Sequence, residues 1–416
     1  MDTNSRNMKY GMFIHYVESL TCRRDGTMPV FGQAAEEFDV EGFAESLTSF
    51  GVEYIIFTAW HFNMVCLYPA AKVDAWLPGH CVKRDLLRDI IVALKPRGIK
   101  VIFYTHPRDG HDFSEEDAII TGWGAGNKGF APNPNPDTYN FEKWNNFIND
   151  AYAELMDRYG NDIAGLYLDE GSAAGDSYKV VDYPRLRQTI KSRNPKLVMI
   201  QNYYGNLYSC DIGDKEYCHW GEFASADGDT WPAYTMPVGT VMSHSWMADI
   251  PEGQNTVMFT AEALFRYTVL QAGANTDGYG VQWAAGPYAG GGWENGVYET
   301  MAALGKYVNA VAPSIKRTIP STSYVTLPGA TIHSLDWGVA TTSEDGATEY
   351  LHVLKPPSSN ILTLPAPADG KQFSAAIILT TGRAVSMNQT EDALILNLDS
   401  SDGWNEMDTV IMLTSC

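Results

Sequence analysis

The fold is decided by the stretch Gly165-Leu-Tyr-Leu-Asp-Glu-Gly171. An apolar run typical of a buried strand ends there at two adjacent carboxylates, Asp169 and Glu170, and a glycine. Burying a carboxylate at a strand end costs desolvation free energy, so stable cores usually avoid buried carboxylates. In a barrel of parallel strands, by contrast, the C-terminal strand ends carry the chemistry. We therefore interpret Asp169 as a catalytic carboxylate. We assign Glu170 a supporting role, because neighbouring side chains at a strand end point in different directions.

The same pattern of a short apolar run followed by a helix recurs through the first three quarters of the chain. Strand-like runs occupy residues 10–15, 54–59, 100–104, 164–168 and 197–201. Continuous apolar strands that alternate with helices indicate a parallel sheet buried on both faces. About eight such units over roughly 310 residues predict an α/β fold of the (β/α)8 TIM-like barrel type. An open doubly wound sheet is the competing fold, but the sequence lacks its glycine-rich nucleotide fingerprint after the first strand.

The sequence pattern changes at Ala312-Pro313. From there, short strand-like runs are separated by turn-forming sequences such as Lys355-Pro-Pro-Ser-Ser-Asn360. Regular spacing of this kind is typical of a small antiparallel β-sandwich. We therefore predict a catalytic barrel over residues 1–312 and a C-terminal β-sandwich domain over residues 313–416.

The charge of the chain excludes some partners. It has 416 residues, with 50 acidic and 29 basic residues and a formal net charge of −21. Nucleic acids and anionic membranes bind positive faces, so neither is expected as a partner. No apolar run is long enough to predict a membrane span, and nothing indicates the oligomeric state. Because the N-terminus lacks an apolar signal region, we expect a periplasmic or extracellular protein whose signal peptide has been removed, or else a cytoplasmic one.

The six cysteines have no metal-binding or disulfide-rich spacing. They are Cys22, Cys66, Cys81, Cys210, Cys218 and Cys416. Without a CxxC pair, a zinc ribbon and a dense disulfide scaffold are excluded. We expect buried free thiols, with one or two disulfides if the protein is exported.

Polar residues follow the predicted strands at their C-terminal ends, and in a barrel these ends meet at one mouth. They are His15, Trp60, His61, Tyr104, His106, Asp169, Gln201, Asn202 and Tyr203. A carboxylate in such a mouth either binds a metal or acts on an anomeric carbon. The histidine–aspartate pairs at 106 with 109 and at 111 with 112 have no recognisable metal signature. No metal or cofactor is therefore predicted.

Hydrolysis of a glycoside needs two carboxyl groups in opposite roles, one ionised and one carrying a proton. The second carboxyl group is expected from a later strand or loop. The segment from 209 to 217 offers Asp211, Asp214 and Glu216, and Glu222 follows it. Periodicity does not rank the three residues in that segment.

Several short motifs occur in a fixed order along the chain. They are Lys9-Tyr-Gly-Met-Phe-Ile-His-Tyr16, Phe57-Thr-Ala-Trp-His61, Lys83-Arg-Asp85, Leu166-Tyr-Leu-Asp169, Met199-Ile-Gln-Asn-Tyr-Tyr-Gly205, Cys210-Asp-Ile-Gly-Asp-Lys-Glu-Tyr217 and Gln271-Ala-Gly-Ala-Asn275. In this order they resemble the α-L-fucosidases of glycoside hydrolase family 29. The resemblance implies that His15 and His61 bind the sugar, that Asp169 is the nucleophile and that Glu216 is the acid/base.

Two positions depart from the family pattern. Phe62 stands where the family has the second histidine of a pair, and Tyr203 stands near the position of an arginine. The loss of two polar contacts is what a site built for different hydroxyl groups would show. These departures leave a related sugar as an alternative to fucose, while the retaining mechanism is expected for either.

The sequence thus predicts a retaining exo-glycosidase that cleaves α-L-fucosides or related α-L-glycosides in an oligosaccharide or glycoconjugate. His15, His61, Tyr104 and Tyr203 are expected to contact the sugar. Candidate stacking rings are Trp60, Trp220, Trp246 and Trp283. The alternatives are a carbohydrate-binding protein that has lost catalysis, a retaining glycosidase for another sugar, and a metal-dependent barrel hydrolase.

Overall fold

The protein has an α/β fold with one large curled parallel sheet and separate antiparallel sheets. The structure is a computed structural model that describes residues 8–126, 133–169, 179–202, 210–217, 230–232, 237–274, 280–326, 331–333 and 335–416.

The strands and helices are numbered in chain order. The strands are β1 (Tyr10–Ile14), β2 (Tyr54–Thr58), β3 (Trp60–His61), β4 (Val65–Cys66), β5 (Lys100–Thr105), β6 (Gly165–Leu168), β7 (Val198–Asn202), β8 (Ile212–Tyr217), β9 (Thr230–Pro232), β10 (Pro237–Thr240), β11 (Val281–Ala284), β12 (Thr318–Pro320), β13 (Thr331–His333), β14 (Gly338–Ser343), β15 (Thr348–Val353), β16 (Ile361–Pro365), β17 (Phe373–Ile378), β18 (Ser386–Gln389), β19 (Ala393–Asn397) and β20 (Thr409–Ser415). The α-helices are α1 (Gln33–Glu37), α2 (Val40–Phe50), α3 (Ala71–Trp76), α4 (Leu86–Leu94), α5 (Glu115–Thr121), α6 (Phe141–Tyr159), α7 (Tyr183–Lys191), α8 (Ala261–Ala274), α9 (Val297–Ala310) and α10 (Ala312–Ile315). Short 3-10 turns cover Lys95–Arg97 and Asp109–Asp112.

The large sheet follows the strand order β1-β11-β10-β8-β7-β6-β5-β2 and closes on itself. Its pairings are parallel, and β1 joins the two ends of the order: Tyr10 pairs with Val281 of β11, and Gly11 pairs with Tyr54 of β2. Because the strands run in one direction, their C-terminal ends share one edge of the sheet. Side chains that follow these ends therefore come together at that edge.

Helices cover the outside of this sheet, but the alternation of strands with helices is incomplete. Among the described elements, helices follow β1, β5, β6, β10 and β11, and α3 and α4 follow β2 after the β3–β4 hairpin. Within the described residues, no helix lies between β7 and β8 or between β8 and β10. The expectation of a buried parallel sheet covered by helices is confirmed.

The inside of the sheet is filled rather than open. Alternate residues of the parallel strands form one buried cluster, which includes Phe13, Ile56, Tyr104, Tyr167 and Ile200. The intervening residues, such as Ile55 and Phe57, belong to a second cluster that also contains the helices. This split follows from the two-residue period of a strand. Since side chains occupy the interior, a substrate has room only at the edge where the strands end.

Antiparallel sheets follow the large sheet in the chain, as the sequence predicts. One has five strands in the order β12-β14-β15-β20-β17, and another has three in the order β16-β19-β18. Both contribute to one buried cluster, with Leu351 and Ile411 from the first and Leu364 and Leu396 from the second. A domain boundary at residue 312 stays a prediction.

Five of the cysteines are free thiols, namely Cys22, Cys66, Cys81, Cys210 and Cys416. Cys218 lies outside the described residues. None of the described helices is both long and apolar enough to cross a membrane.

The contact between helices α2 and α9, on the outside of the large sheet, depends on Gly305. A β-carbon at this position of α9 would lie 2.5 Å from the carbonyl oxygen of Phe50, at the end of α2. We expect Gly305→Ala to lower the free energy of unfolding by about 1–3 kcal/mol, as overpacking does. Lys306→Ala, on the exposed face of α9, is the control and should change it little. Equal denaturation midpoints for Gly305→Ala and the wild type would contradict this contact.

Candidate active site

Five polar side chains come together at the C-terminal edge of the large sheet. His15 follows β1, His61 ends β3, Tyr104 lies near the end of β5, Asp169 follows β6 and Asn202 ends β7. The structure thus brings four of the predicted site residues to one place, together with Asn202, for which the sequence predicted a position but no role.

Asp169 is held by hydrogen bonds to both carboxylate oxygens. The hydroxyl of Tyr104 donates to Oδ2 at 2.5 Å, and Nδ2 of Asn202 donates to Oδ1 at 2.6 Å. Burial acts to raise the pKa of Asp169, but His106, these two hydrogen bonds and His61 outweigh burial and lower it. Asp169 is therefore an ionised carboxylate with a fixed orientation. It is only half-buried, so it can meet a substrate.

His15 forms part of an aromatic wall beside this carboxylate. Its ring centroid lies 4.9 Å from that of Tyr104, 5.8 Å from that of His61 and 6.1 Å from that of Trp246. Burial is the largest cause that lowers the pKa of His15, to about 3, and His61 adds to the effect. His15 is therefore a neutral imidazole that can donate one hydrogen bond and accept another.

The pKa of His61 is shifted in the opposite direction to that of His15. Its Nδ1 lies 3.4 Å from Oδ1 of Asp109, and its ring stacks on that of His106 with centroids 5.4 Å apart. Burial acts to lower the pKa of His61, but the hydrogen bond to Asp109, its charge and that of Asp169 together raise it. The pKa values of the two histidines at the mouth are therefore shifted in opposite directions, which suits the two rings to different hydroxyl groups.

Three buried side chains behind His61 lie close enough together to be considered as metal ligands. The ligand atoms of His106, Asp109 and His111 all lie within 4.8 Å of one another. Protein groups already contact these atoms, however. The backbone N–H of Arg108 donates to Nδ1 of His106 at 3.3 Å, and the two ring nitrogens of His111 face Arg108 O and Asp112 Oδ1, each at 3.2 Å. We therefore interpret the group as a hydrogen-bonded network.

Two predicted stacking rings have to be corrected, because the structure places them away from the mouth. Trp60 is fully buried, packs edge-on against Tyr152 of α6 and donates to the backbone oxygen of His106. Trp283 is also fully buried, and its indole N–H donates to Thr268 of α8 at 3.3 Å. Each ring points to the helices, since alternate strand residues face opposite sides. The half-buried ring of Trp246 does lie at the mouth.

Two candidates for the second carboxyl group have other roles. Asp211 precedes β8, at the end opposite the mouth, and forms ion pairs with Arg187 at 2.7 Å and Lys191 at 2.6 Å. Asp214 is fully buried and accepts a hydrogen bond from Gln282 at 2.5 Å. Neither is placed to protonate a leaving group at the mouth.

The structure gives the backbone position of Glu216 but does not describe its side chain. Glu216 lies in β8, paired with Val238 of β10, two residues beyond Asp214 and near the C-terminal end of its strand. Other predicted residues lie outside the described part of the chain. They are Tyr203, Glu170, Trp220 and Glu222.

Comparison with known proteins agrees with this fold. The α-L-fucosidase family model matches residues 3–247, which is more than half of the chain. No curated protein sequence matches it. The first of the similar solved structures is α-L-fucosidase isoenzyme 1 from Paenibacillus thiaminolyticus, with 19% identity and a TM-score of 0.70, covering 99% of this chain and 97% of that one.

Two further structures are alike in fold. A family 29 α-L-fucosidase from Bacteroides thetaiotaomicron, trapped as a covalent intermediate, has 18% identity and a TM-score of 0.71, covering 100% of this chain and 95% of that one. The α-L-fucosidase from Vibrio sp. strain EJY3 has 17% identity and a TM-score of 0.72, covering 99% and 72%.

A strand-end carboxylate held in its ionised form among sugar-binding side-chain types is typical of a glycosidase. The match to the family model identifies the family of glycosidases. The chain belongs to the α-L-fucosidase family, and it is a glycoside hydrolase that acts on a carbohydrate substrate.

Tyr104→Phe tests the hydrogen bond that helps keep Asp169 ionised. Removing the donor takes a stabilising contact from the carboxylate, so the pKa of Asp169 should rise. The acidic limb of the kcat/KM profile on an aryl glycoside should then move to higher pH by about 1–2 units. The control is Tyr167→Phe, because Tyr167 of β6 pairs with Tyr104 of β5 and stacks on its ring, with centroids 5.7 Å apart. An acidic limb that stays in place in Tyr104→Phe would show that this hydrogen bond does not control the charge.

Proposed function

We propose that the protein is a retaining exo-glycosidase that hydrolyses α-L-fucosides or closely related α-L-glycosides through a covalent glycosyl-enzyme intermediate. The observation that carries the proposal is the carboxylate of Asp169, oriented by Tyr104 and Asn202 at a strand end in a member of the α-L-fucosidase family. With it we infer a (β/α)8 TIM-like barrel over residues 1–312, followed by a C-terminal β-sandwich domain over residues 313–416. The substrate is an oligosaccharide or glycoconjugate.

In the first step, an oxygen of Asp169 attacks the anomeric carbon. The bond to the leaving oxygen breaks, its electron pair stays on that oxygen, and Glu216 supplies the proton. The hydrogen bonds from Tyr104 and Asn202 aim the carboxylate, which reduces the cost of orienting it in the transition state. Their donor groups also restrain the ester oxygen atoms of the glycosyl-enzyme.

In the second step, water attacks the same carbon and gives a proton to Glu216. Asp169 leaves as a carboxylate, and the donors of Tyr104 and Asn202 stabilise the negative charge that develops on it. Two displacements at one carbon give net retention of configuration. In a retaining site the carboxyl groups of Asp169 and Glu216 are roughly 5–5.5 Å apart.

The sugar is held by two histidines whose pKa values are shifted in opposite directions. His61 is suited to donate a charged hydrogen bond to a sugar oxygen, whereas neutral His15 can also accept from a hydroxyl group. Trp246 offers the ring on which an apolar sugar face can stack. Tyr203 is a further proposed contact.

A glycosidase for another sugar is the second candidate. Phe62 replaces the second histidine of the family's pair, and its backbone is left-handed with φ 41°. The family's contact at that position is therefore changed in its chemistry. Such a change alters which hydroxyl groups are recognised, and α-L-galactosides share most ring hydroxyl orientations with α-L-fucosides.

The decisive experiment measures turnover of aryl α-L-fucoside, α-L-galactoside, α-L-rhamnoside and β-D-galactoside, with product stereochemistry followed by NMR. We expect retention on the fucoside or a close relative. Asp169→Ala should abolish turnover while sugar binding remains, and Glu216→Gln should lower kcat by roughly 10²–10⁴-fold. Asp211→Asn is the matched control and should keep near wild-type kcat.

Inverted product would contradict the retaining mechanism. Sugar binding by a wild type that turns over none of the four glycosides would favour the carbohydrate-binding alternative. Loss of activity with a chelator, together with stoichiometric metal in the purified protein, would favour a metal-dependent hydrolase.

A further inference from the structure

Asp109 is a buried charge that the proposed mechanism does not use. Its side chain is 0% exposed, whereas that of His61, which it contacts, is 17% exposed. Burying a carboxylate is costly unless specific partners compensate it. A substrate at the mouth can reach His61 but not Asp109, so any effect of Asp109 on the sugar must pass through its neighbours.

The two oxygens of Asp109 contact two parts of one hairpin. Oδ1 lies 3.4 Å from Nδ1 of His61, and Oδ2 accepts a hydrogen bond from the backbone N–H of Met64 at 3.2 Å. These residues belong to the β3–β4 hairpin, in which Trp60 pairs with Cys66 and His61 pairs with Val65. One carboxylate from the turn after β5 thus fixes both the imidazole and the backbone that carries it.

The hairpin needs such an anchor because its turn has an unfavourable backbone. Phe62, Asn63 and Met64 are consecutive left-handed residues, with φ of 41°, 55° and 49°. Each such residue other than glycine carries a conformational cost and persists only where its surroundings hold it. His80 adds a second anchor, since its Nδ1 lies 2.7 Å from the backbone oxygen of Asn63.

We propose that Asp109 is a positioning residue that sets the orientation of His61 and makes it a hydrogen-bond donor toward the sugar. With Asp109 facing Nδ1, the proton on that nitrogen points to the carboxylate. Nε2, on the other side of the ring, then donates a hydrogen bond when the imidazole is protonated, the form that the charge of Asp109 favours. The stacked ring of His106, at an interplanar angle of 18°, limits rotation of the imidazole. The inference rests on the proposed function, because it takes His61 to be a sugar contact.

The charge of His61 is set by groups from several elements. The titratable groups around it are His15, Tyr104, His106, Asp109, Asp112 and Asp169. Among those that raise its pKa, Asp109 acts most strongly, through both its hydrogen bond and its charge. Replacing Asp109 by asparagine should therefore lower the pKa of His61, whereas Asp112→Asn should have a smaller effect.

The test is a double-mutant cycle with Asp109→Asn, His61→Gln and the double variant, assayed on the aryl glycoside that the wild type turns over. Asp109→Asn alone should lower kcat/KM by about 10–100-fold, mainly through KM, as loss of a charge-assisted hydrogen bond does. Added to His61→Gln, it should have almost no further effect. Glu116→Gln, which changes an exposed carboxylate in the first turn of α5, is the control and should stay near wild type.

A second measurement does not depend on activity. The chain has 9 histidines, so comparison with His61→Gln identifies the imidazole signals of His61 by NMR. Its titration midpoint should fall by roughly 1–3 pH units in Asp109→Asn. An equal loss of kcat/KM from Asp109→Asn in both backgrounds, or an unshifted midpoint, would overturn the inference. So would a stoichiometric metal bound to Asp109.

Failure of the proposed function is distinguishable from failure of this inference. A wild type without turnover on any of the four glycosides contradicts the function, and the NMR titration still reports on the contact between Asp109 and His61. A wild type that turns over a glycoside while Asp109→Asn behaves identically contradicts the inference alone.

Discussion

The site depends on keeping the carboxylate of Asp169 ionised where burial opposes its charge. Two short hydrogen bonds, from Tyr104 and Asn202, and the nearby histidines outweigh that burial. These donors sit on β5 and β7, the strands on either side of β6, which carries Asp169. The parallel register of three neighbouring strands therefore sets the geometry of the carboxylate, and its chemistry follows from the fold.

The filled interior of the sheet accounts for the layout of the mouth. Rings such as Phe13, Tyr104 and Tyr167 occupy the inside, so polar groups are usable only above them. Water is excluded from below, which strengthens hydrogen bonds to the carboxylate. His15 and His61 stand at the rim of this layer with pKa values shifted in opposite directions. A pyranose, with several hydroxyl groups on an apolar ring, matches such a surface of donors, acceptors and aromatic faces.

The parallel sheet and Asp169 at its edge could be predicted from the sequence, because a carboxylate at the end of a buried apolar strand is costly and is kept where it has a function. The sequence pattern wrongly assigns Trp60 and Trp283 to the sugar. A position at a strand end does not reveal which of two neighbouring side chains faces the helices. The role of Asp109 was not predictable. Its contact with His61 joins a hairpin strand to a 3-10 turn, between residues 48 positions apart in the sequence. Short-range patterns carry no information on such pairs.

The most direct test of the central claim is to identify the nucleophile chemically. The protein is treated with the 2-deoxy-2-fluoro glycosyl fluoride of the sugar it turns over, which slows breakdown of a glycosyl-enzyme, and is then digested and mapped by mass spectrometry. A retaining mechanism through Asp169 predicts one glycosylated peptide, modified at Asp169, and none in Asp169→Ala. Modification at another carboxylate, or hydrolysis of the reagent without an adduct and with inversion, would contradict it.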